Sequence, residues 1–236
     1  MAVAFDATAN GTVNPATSLT FAHTCTGTNL ILFVCVINNN STGASGVTYN
    51  GVALTLLDTR TDAGGNIPEL WYLIAPATGA NNIVISMSGS CAIAGASSSY
   101  SGARQSAPAV FGDERADSAT TISKALTSTV DNSWIVSGAT NNFAATSWTA
   151  GANTTFRSAA QWAGFCDGNA AITPAGSATL VANLGSSASL IMLAAIVAPP
   201  PLGPANLKTF NGLAAASVKT INGLAIASVK SINGMV

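Results

Sequence analysis

SLTFAHTCTGTNLILFVCVI, residues 18–37, decides the fold class of this chain. Its first part sets Leu19, Phe21 and His23 against Ser18, Thr20 and Ala22, the two-residue period of a strand with one covered face. Its last part, LILFVCVI at 30–37, is apolar throughout, as expected of a central strand covered on both faces. VTYNGVALTLL (47–57) then places Asn50-Gly51 between two β-rich runs. A two-residue type I′ hairpin needs positive φ at both central positions, which Asn-Gly supplies. PELWYLIAP and NNIVISMS read as a further pair, with Pro68 and Pro76 at strand ends, where no ladder donor is missed.

Working outward, the same texture continues: short runs of β-branched and aromatic residues broken by Gly, Asn, Pro and Ser every eight to twelve residues. Strands are predicted near 2–6, 17–24, 29–37, 46–57, 68–75, 81–88, 92–100, 119–129, 133–140, 159–165, 178–183 and 188–197, with almost no helix signal. The fold class is all-β, an antiparallel sandwich of residues 1–198. At AIVAPPPLGPAN the texture changes, because the prolines from 199 to 204 cannot donate ladder hydrogen bonds and favour an extended polyproline conformation. Residues 199–206 are therefore a linker, and 207–236 form a separate tail.

Charged residues are 7% of the chain, far below the roughly 25% of ordinary globular domains, so the surface is neutral and rich in hydroxyl and amide groups. Eight basic residues and a net charge of −1 give little purchase on a phosphate backbone, and no nucleic-acid partner is expected. The N-terminal MAVAFDATAN lacks the basic and apolar regions of a secretion signal, and the longest apolar runs fall short of the ~18 residues of a membrane helix. The expectation is a cytoplasm-made protein that meets no membrane. Cys25, Cys35, Cys91 and Cys166 are widely spaced beside a single histidine, which argues against a zinc site and leaves free thiols ahead of a Cys25–Cys91 pairing. No metal or cofactor is expected.

Candidate sites are few. His23, the one histidine, reads as a hydrogen-bonded structural residue rather than a general base. Asp113, Glu114 and Asp117 with Arg115 between them read as a solvated loop with internal charge pairing rather than a calcium site. Asp58, Asp62 and Glu69 are poorly placed for the paired carboxylates of a glycosidase. Trp71, Trp134 and Trp162 fall in strand-like runs and read as core; Trp148, in a polar stretch, is the residue to test for glycan stacking.

The tail KTFNGLAAASVKTINGLAIASVKSINGMV repeats an eleven-residue phrase, with lysines at Lys208, Lys219 and Lys230 and turns at Asn211-Gly212, Asn222-Gly223 and Asn233-Gly234. Asn-Gly amid Val, Ile and Thr argues for β structure, with Ile221 opposite Leu224 and Lys219 opposite Ile226 across the second turn, and Ile232 opening the third. Strands this short have too little area to stand alone, and a third copy stopping two residues past its turn is expected to be completed by another chain.

The succession SLTFAHTCTGTNLILFVCVI, GVTYNGVALTLL, PELWYLIAPATGANNIVISMSG and AIAGASSSYSGARQSAP resembles an all-β module of secreted bacterial and phage-encoded proteins. That resemblance implies a jelly-roll-like sandwich over residues 17–197 and carries no catalytic residues. SVKSING resembles strings at the C-termini of phage structural proteins. Together they imply a non-enzymatic virion surface protein, a capsid decoration (cement) or head or tail fibre component. Its partners would be copies of itself, a trimer favoured, and a capsid or tail protein. The alternative is a carbohydrate-binding module of a receptor-binding protein.

Overall fold

The computed structural model describes residues 2–144 and 147–201, and in the tail 209–210, 213–214, 220–221 and 224–225. The chain divides into two compact units, Met1–Pro199 and Pro200–Val236. The first is an all-β sandwich of two antiparallel sheets, the fold class that the sequence predicts, and among the described residues no helix is long and apolar enough to cross a membrane.

The first half of the body supplies β1 (Ala4–Cys25), β2 (Ile31–Asn38), β3 (Gly46–Tyr49), β4 (Val52–Ala53), β5 (Thr55–Thr59), β6 (Glu69–Ile74) and β7 (Gly79–Ser101). They form one sheet in the order β4-β3-β7-β2-β6-β5, with β1 along the other side of β7. The second half supplies β8 (Phe111–Thr127), β9 (Trp134–Asn141), β10 (Trp148–Ala150), β11 (Thr155–Ala159), β12 (Ala163–Asp167) and β13 (Ser177–Val197). These form a second sheet, β10-β13-β9-β12-β11, with β8 along β13. Apart from β4, the second half repeats the first strand for strand. Register repeats too: β2 runs from Ile31 opposite Tyr100 to Asn38 opposite Ile93, and β9 runs from Trp134 opposite Val197 to Asn141 opposite Leu190.

The long strands are bent double. A Cβ built on Gly95 would come within 2.7 Å of the Ile85 side chain, yet ten residues of straight strand span about 33 Å. The ladder between β1 and β7 breaks near Ala16 and Cys91, and that between β8 and β13 near Ala188. Both breaks fall on small residues, MSGS (87–90) and LGSS (184–187), where a bulge or bend meets little side-chain bulk.

Three cores follow from this bend. Alternation along β2 sends Ile31, Phe33, Cys35 and Ile37 into a core shared with Trp134, Val136, Phe165, Ile191 and Leu193 of the second sheet. Leu32, Val34 and Val36 point the other way, into a core closed by Leu19, Val47, Tyr49, Ile83 and Ile85 of the folded-over strands. The second sheet closes its own core in the same manner, with Ile135, Leu180, Ala182, Met192 and Trp148. Every residue of β2 is buried, each fully buried aliphatic side chain contributing about 1.5–3 kcal/mol.

Several expectations need correction. Residues 2–6 and 17–24 belong to one strand, as do 81–88 with 92–100 and 178–183 with 188–197, while 46–57 is three strands. β8 begins at 111 rather than 119, residues 159–165 are split between β11 and β12, and β10 falls outside the predicted strands. At Pro15, MSGS (87–90) and LGSS (184–187), Gly, Ser and Pro taken as turn signals mark bends inside continuing strands. At Asn50-Gly51 the hairpin is as predicted, with φ of 50° and 75° and Tyr49 opposite Val52.

In the tail unit β14 (Thr209–Phe210) pairs with β15 (Leu213–Ala214), and eleven residues on β16 (Thr220–Ile221) pairs with β17 (Leu224–Ala225). Ile221 stands opposite Leu224. Lys208, Asn211, Gly212, Lys219, Asn222, Gly223, Ile226, Lys230, Ile232, Asn233 and Gly234 lie outside the described residues.

Where β9 crosses β2, a Cβ on Gly138 would run into Cys35. Gly138→Ala is expected to destabilise the body by about 1–3 kcal/mol through overpacking, read as a lowered midpoint in urea unfolding. An unchanged midpoint would contradict the close approach of the sheets.

Candidate functional site

The fold-over brings polar side chains together that are far apart along the strands. His23 lies opposite Asn81 on β7, yet its ring reaches sixteen and eighteen residues further along that strand: Nδ1 is 2.9 Å from the Ser97 hydroxyl and Nε2 is 3.0 Å from that of Ser99. A neutral imidazole has one donor and one acceptor nitrogen, and the two hydroxyls can meet both. Ser99 donates to Asp6 at 2.7 Å, and Asp6 accepts from the Thr26 backbone amide and hydroxyl. Tyr49 closes the other side, edge-on to the imidazole, its hydroxyl donating to the His23 carbonyl.

Serine, histidine and aspartate thus converge, but not as a catalytic triad. The carboxylate accepts from a serine rather than from the ring, and His23 is 1% exposed. Burial lowers its pKa to about 4, against the weaker pull of Asp6 in the other direction. Burial alone would raise the Asp6 carboxyl, but hydrogen bonds from Thr26 and Ser99 outweigh it and hold the group below its ordinary range. The cluster is a latch across the bent hairpin. A run of three buried serines, Ser97, Ser98 and Ser99, is the sequence signal that marks it.

A second cluster ties the two sheets together. Asp167, fully buried, accepts from Arg157 at 2.7 and 2.9 Å and from the Tyr100 hydroxyl of the opposite sheet at 2.8 Å. Asn169 accepts from the same guanidinium, which lies 4.2 Å over the Phe5 ring. Burial, then the Asp167 charge, drives the Tyr100 phenol well above its ordinary value, so it stays a donor. Neither Arg157 nor Asp167 stands out in the sequence, because their pairing depends on how β11 and β12 register.

The acids sort by environment. Arg60 pairs with Asp113, and Arg115 pairs with Asp117 at 2.7 Å while donating to the Thr61 carbonyl. Ser189 joins this seam, donating to Asp117 and accepting from the Ala63 amide. Asp113, Glu114 and Asp117 therefore lie on a strand and not in a loop, and only Asp117 pairs inside the cluster, with Arg115; Asp113 pairs outside it and Glu114 accepts from the Arg115 amide. Asp62 is capped by Asn66 and the Gly64 amide. Glu69 is buried, accepting from the Ala44 amide and the Trp71 indole, and burial raises its pKa. No group of three His, Cys, Asp or Glu side chains among the described residues is arranged to hold a metal.

Trp148 is a correction to the glycan expectation. It is 7% exposed, stacked on Phe156 at 5.9 Å and packed in the core of the second sheet, so neither ring face is open to a sugar. A polar neighbourhood in sequence does not imply exposure, because β10 pairs with β13 and turns the indole inward. All four cysteines are buried and free. No family model, curated protein or solved structure matches the chain.

Two measurements probe the clusters. The unfolded state takes up a proton on histidine below its ordinary 6.5 while native His23 waits until about 4. Stability attributable to His23 is therefore complete above pH 6.5, falls by roughly 3 kcal/mol between 6.5 and 4, and changes no further below that. Asp6 has the same form at lower pH: its stabilisation is present above the ordinary carboxylate range and is lost as pH falls through its lowered pKa. Urea unfolding against pH should show the first slope, and His23→Gln should flatten it between pH 6.5 and 4.

For the inter-sheet cluster, Arg157→Leu strands a buried carboxylate and is expected to cost about 3–5 kcal/mol in urea unfolding. Adding Asp167→Asn should recover part of that loss. A double variant less stable than the single one would contradict the pairing.

Proposed function

We propose that this chain is a non-enzymatic structural protein of a virion surface, a capsid decoration (cement) or fibre component, that assembles through its C-terminal repeat. The observation that carries the reading is the pair of identical hairpin registers eleven residues apart in the tail, each showing two residue pairs among the described residues. A lone two-stranded hairpin is at best marginally stable in water and gains stability by association. The body supplies a rigid, weakly charged particle whose one histidine is committed to a structural latch. Likeness of SVKSING to strings in phage structural proteins supports the virion setting, with a capsid or tail protein as the docking partner. A trimer is the favoured state.

Light scattering on a size-exclusion column tests this. Full-length protein is expected at three times the chain mass and a truncation after Pro199 at one. Equal monomeric masses for both would sink the assembly reading. The carbohydrate-binding alternative loses its stacking residue with Trp148 buried, and a glycan array is expected to be flat.

A further inference from the structure

Building on the assembly reading, we infer that the tail of one copy adds a strand to the free edge of β8, over residues 121–127, in a neighbouring copy.

Three observations converge. β8 is laddered on β13 alone, and from 121 to 127 that ladder runs without a break, leaving the opposite edge of seven regular residues without a strand partner among the described residues. Nearer its start β8 is engaged: Asp113 pairs with Arg60, its carbonyl accepts from Lys124 at 2.6 Å, and Arg115 reaches Thr61. Only the far half offers a template for another chain. Secondly, the chain between two Asn-Gly turns of the tail, residues 213–221, is nine residues long, enough to cover that edge.

Thirdly, charge is segregated. All nine acids and five of the eight bases lie in residues 1–199, so the body carries −4 and the tail +3. At the seam where β5 approaches β8, Asp58, Asp62, Asp113 and Asp117 face Arg60, Arg115 and Lys124, an excess of one negative charge. The tail carries three lysines and no acid, with Lys219 inside 213–221, and its charge is attracted to that seam, more strongly at low salt.

The equivalent edge, β1, is a poorer acceptor. Its counterpart stretch, 18–25, is as regular as 121–127, but β1 brings one carboxylate, Asp6, which already serves Thr26 and Ser99, so it offers less charge to a cationic strand. It provides an internal control.

Hydrogen exchange compares full-length protein, the truncation after Pro199, and full-length Lys208→Glu/Lys219→Glu/Lys230→Glu, each with its mass measured by light scattering. The expected result is an associated full-length protein in which amides of 121–127 exchange about ten-fold more slowly than in the truncation, while 18–25 of β1 is unchanged. The lysine variant should lose both the association and the protection. Association without protection of 121–127, or protection of 18–25 instead, would overturn the β8 assignment and leave tail-driven assembly standing. Protection of 121–127 in a protein that stays monomeric would overturn the requirement for a second copy. Monomeric full-length protein without protection would overturn both proposals.

Discussion

The structure depends on one constraint: strands of about twenty residues cannot remain straight in a body this small, so β1 with β7 and β8 with β13 fold back on themselves. A straight strand of that length would reach about 70 Å. Bending at MSGS and LGSS turns each single sheet into two layers with a core between them, and the outer faces of the two sheets then close a third core. Everything else in the body is arranged around these bends, including where the polar groups can be buried.

Polar clusters sit where the fold-over or the sheet stacking leaves backbone and side chains out of reach of water. The His23, Ser97, Ser99 and Asp6 chain closes one bent hairpin, and Lys124, donating to the Asp113 carbonyl eleven residues away on its own strand, spans the other. Asp167 with Arg157 and Tyr100 fixes the sheets relative to one another. Four of the seventeen charged residues, Asp6, Lys124, Arg157 and Asp167, are held in these contacts. The proposed association draws instead on the tail lysines and the seam beside β8.

Much of the body was legible residue by residue. The alternation at 18–25, the doubly covered strand at 30–37 and the Asn50-Gly51 hairpin are local patterns that burial and turn geometry enforce directly. The duplication was not legible, although both β2 and β9 end in paired asparagines, Asn38-Asn39 and Asn141-Asn142, and both bends are Gly- and Ser-rich. Small residues can be exchanged freely in such positions, so topology persists where sequence likeness fades. Trp148 shows the opposite failure: its neighbours suggested exposure, and pairing of β10 with Leu184 buried it.

By itself the sequence determined the fold class, the hairpin register at Asn50-Gly51, the boundary near Pro199 and the pairing of Ile221 with Leu224, because strand period, proline and Asn-Gly act through neighbours in the chain. Only the tertiary structure decided which short runs fuse into bent strands, that the two halves share one winding, and that His23 and Asp167 are committed to internal contacts. Those outcomes join residues tens of positions apart, and the contacts that select them exist only once the sheets have folded over.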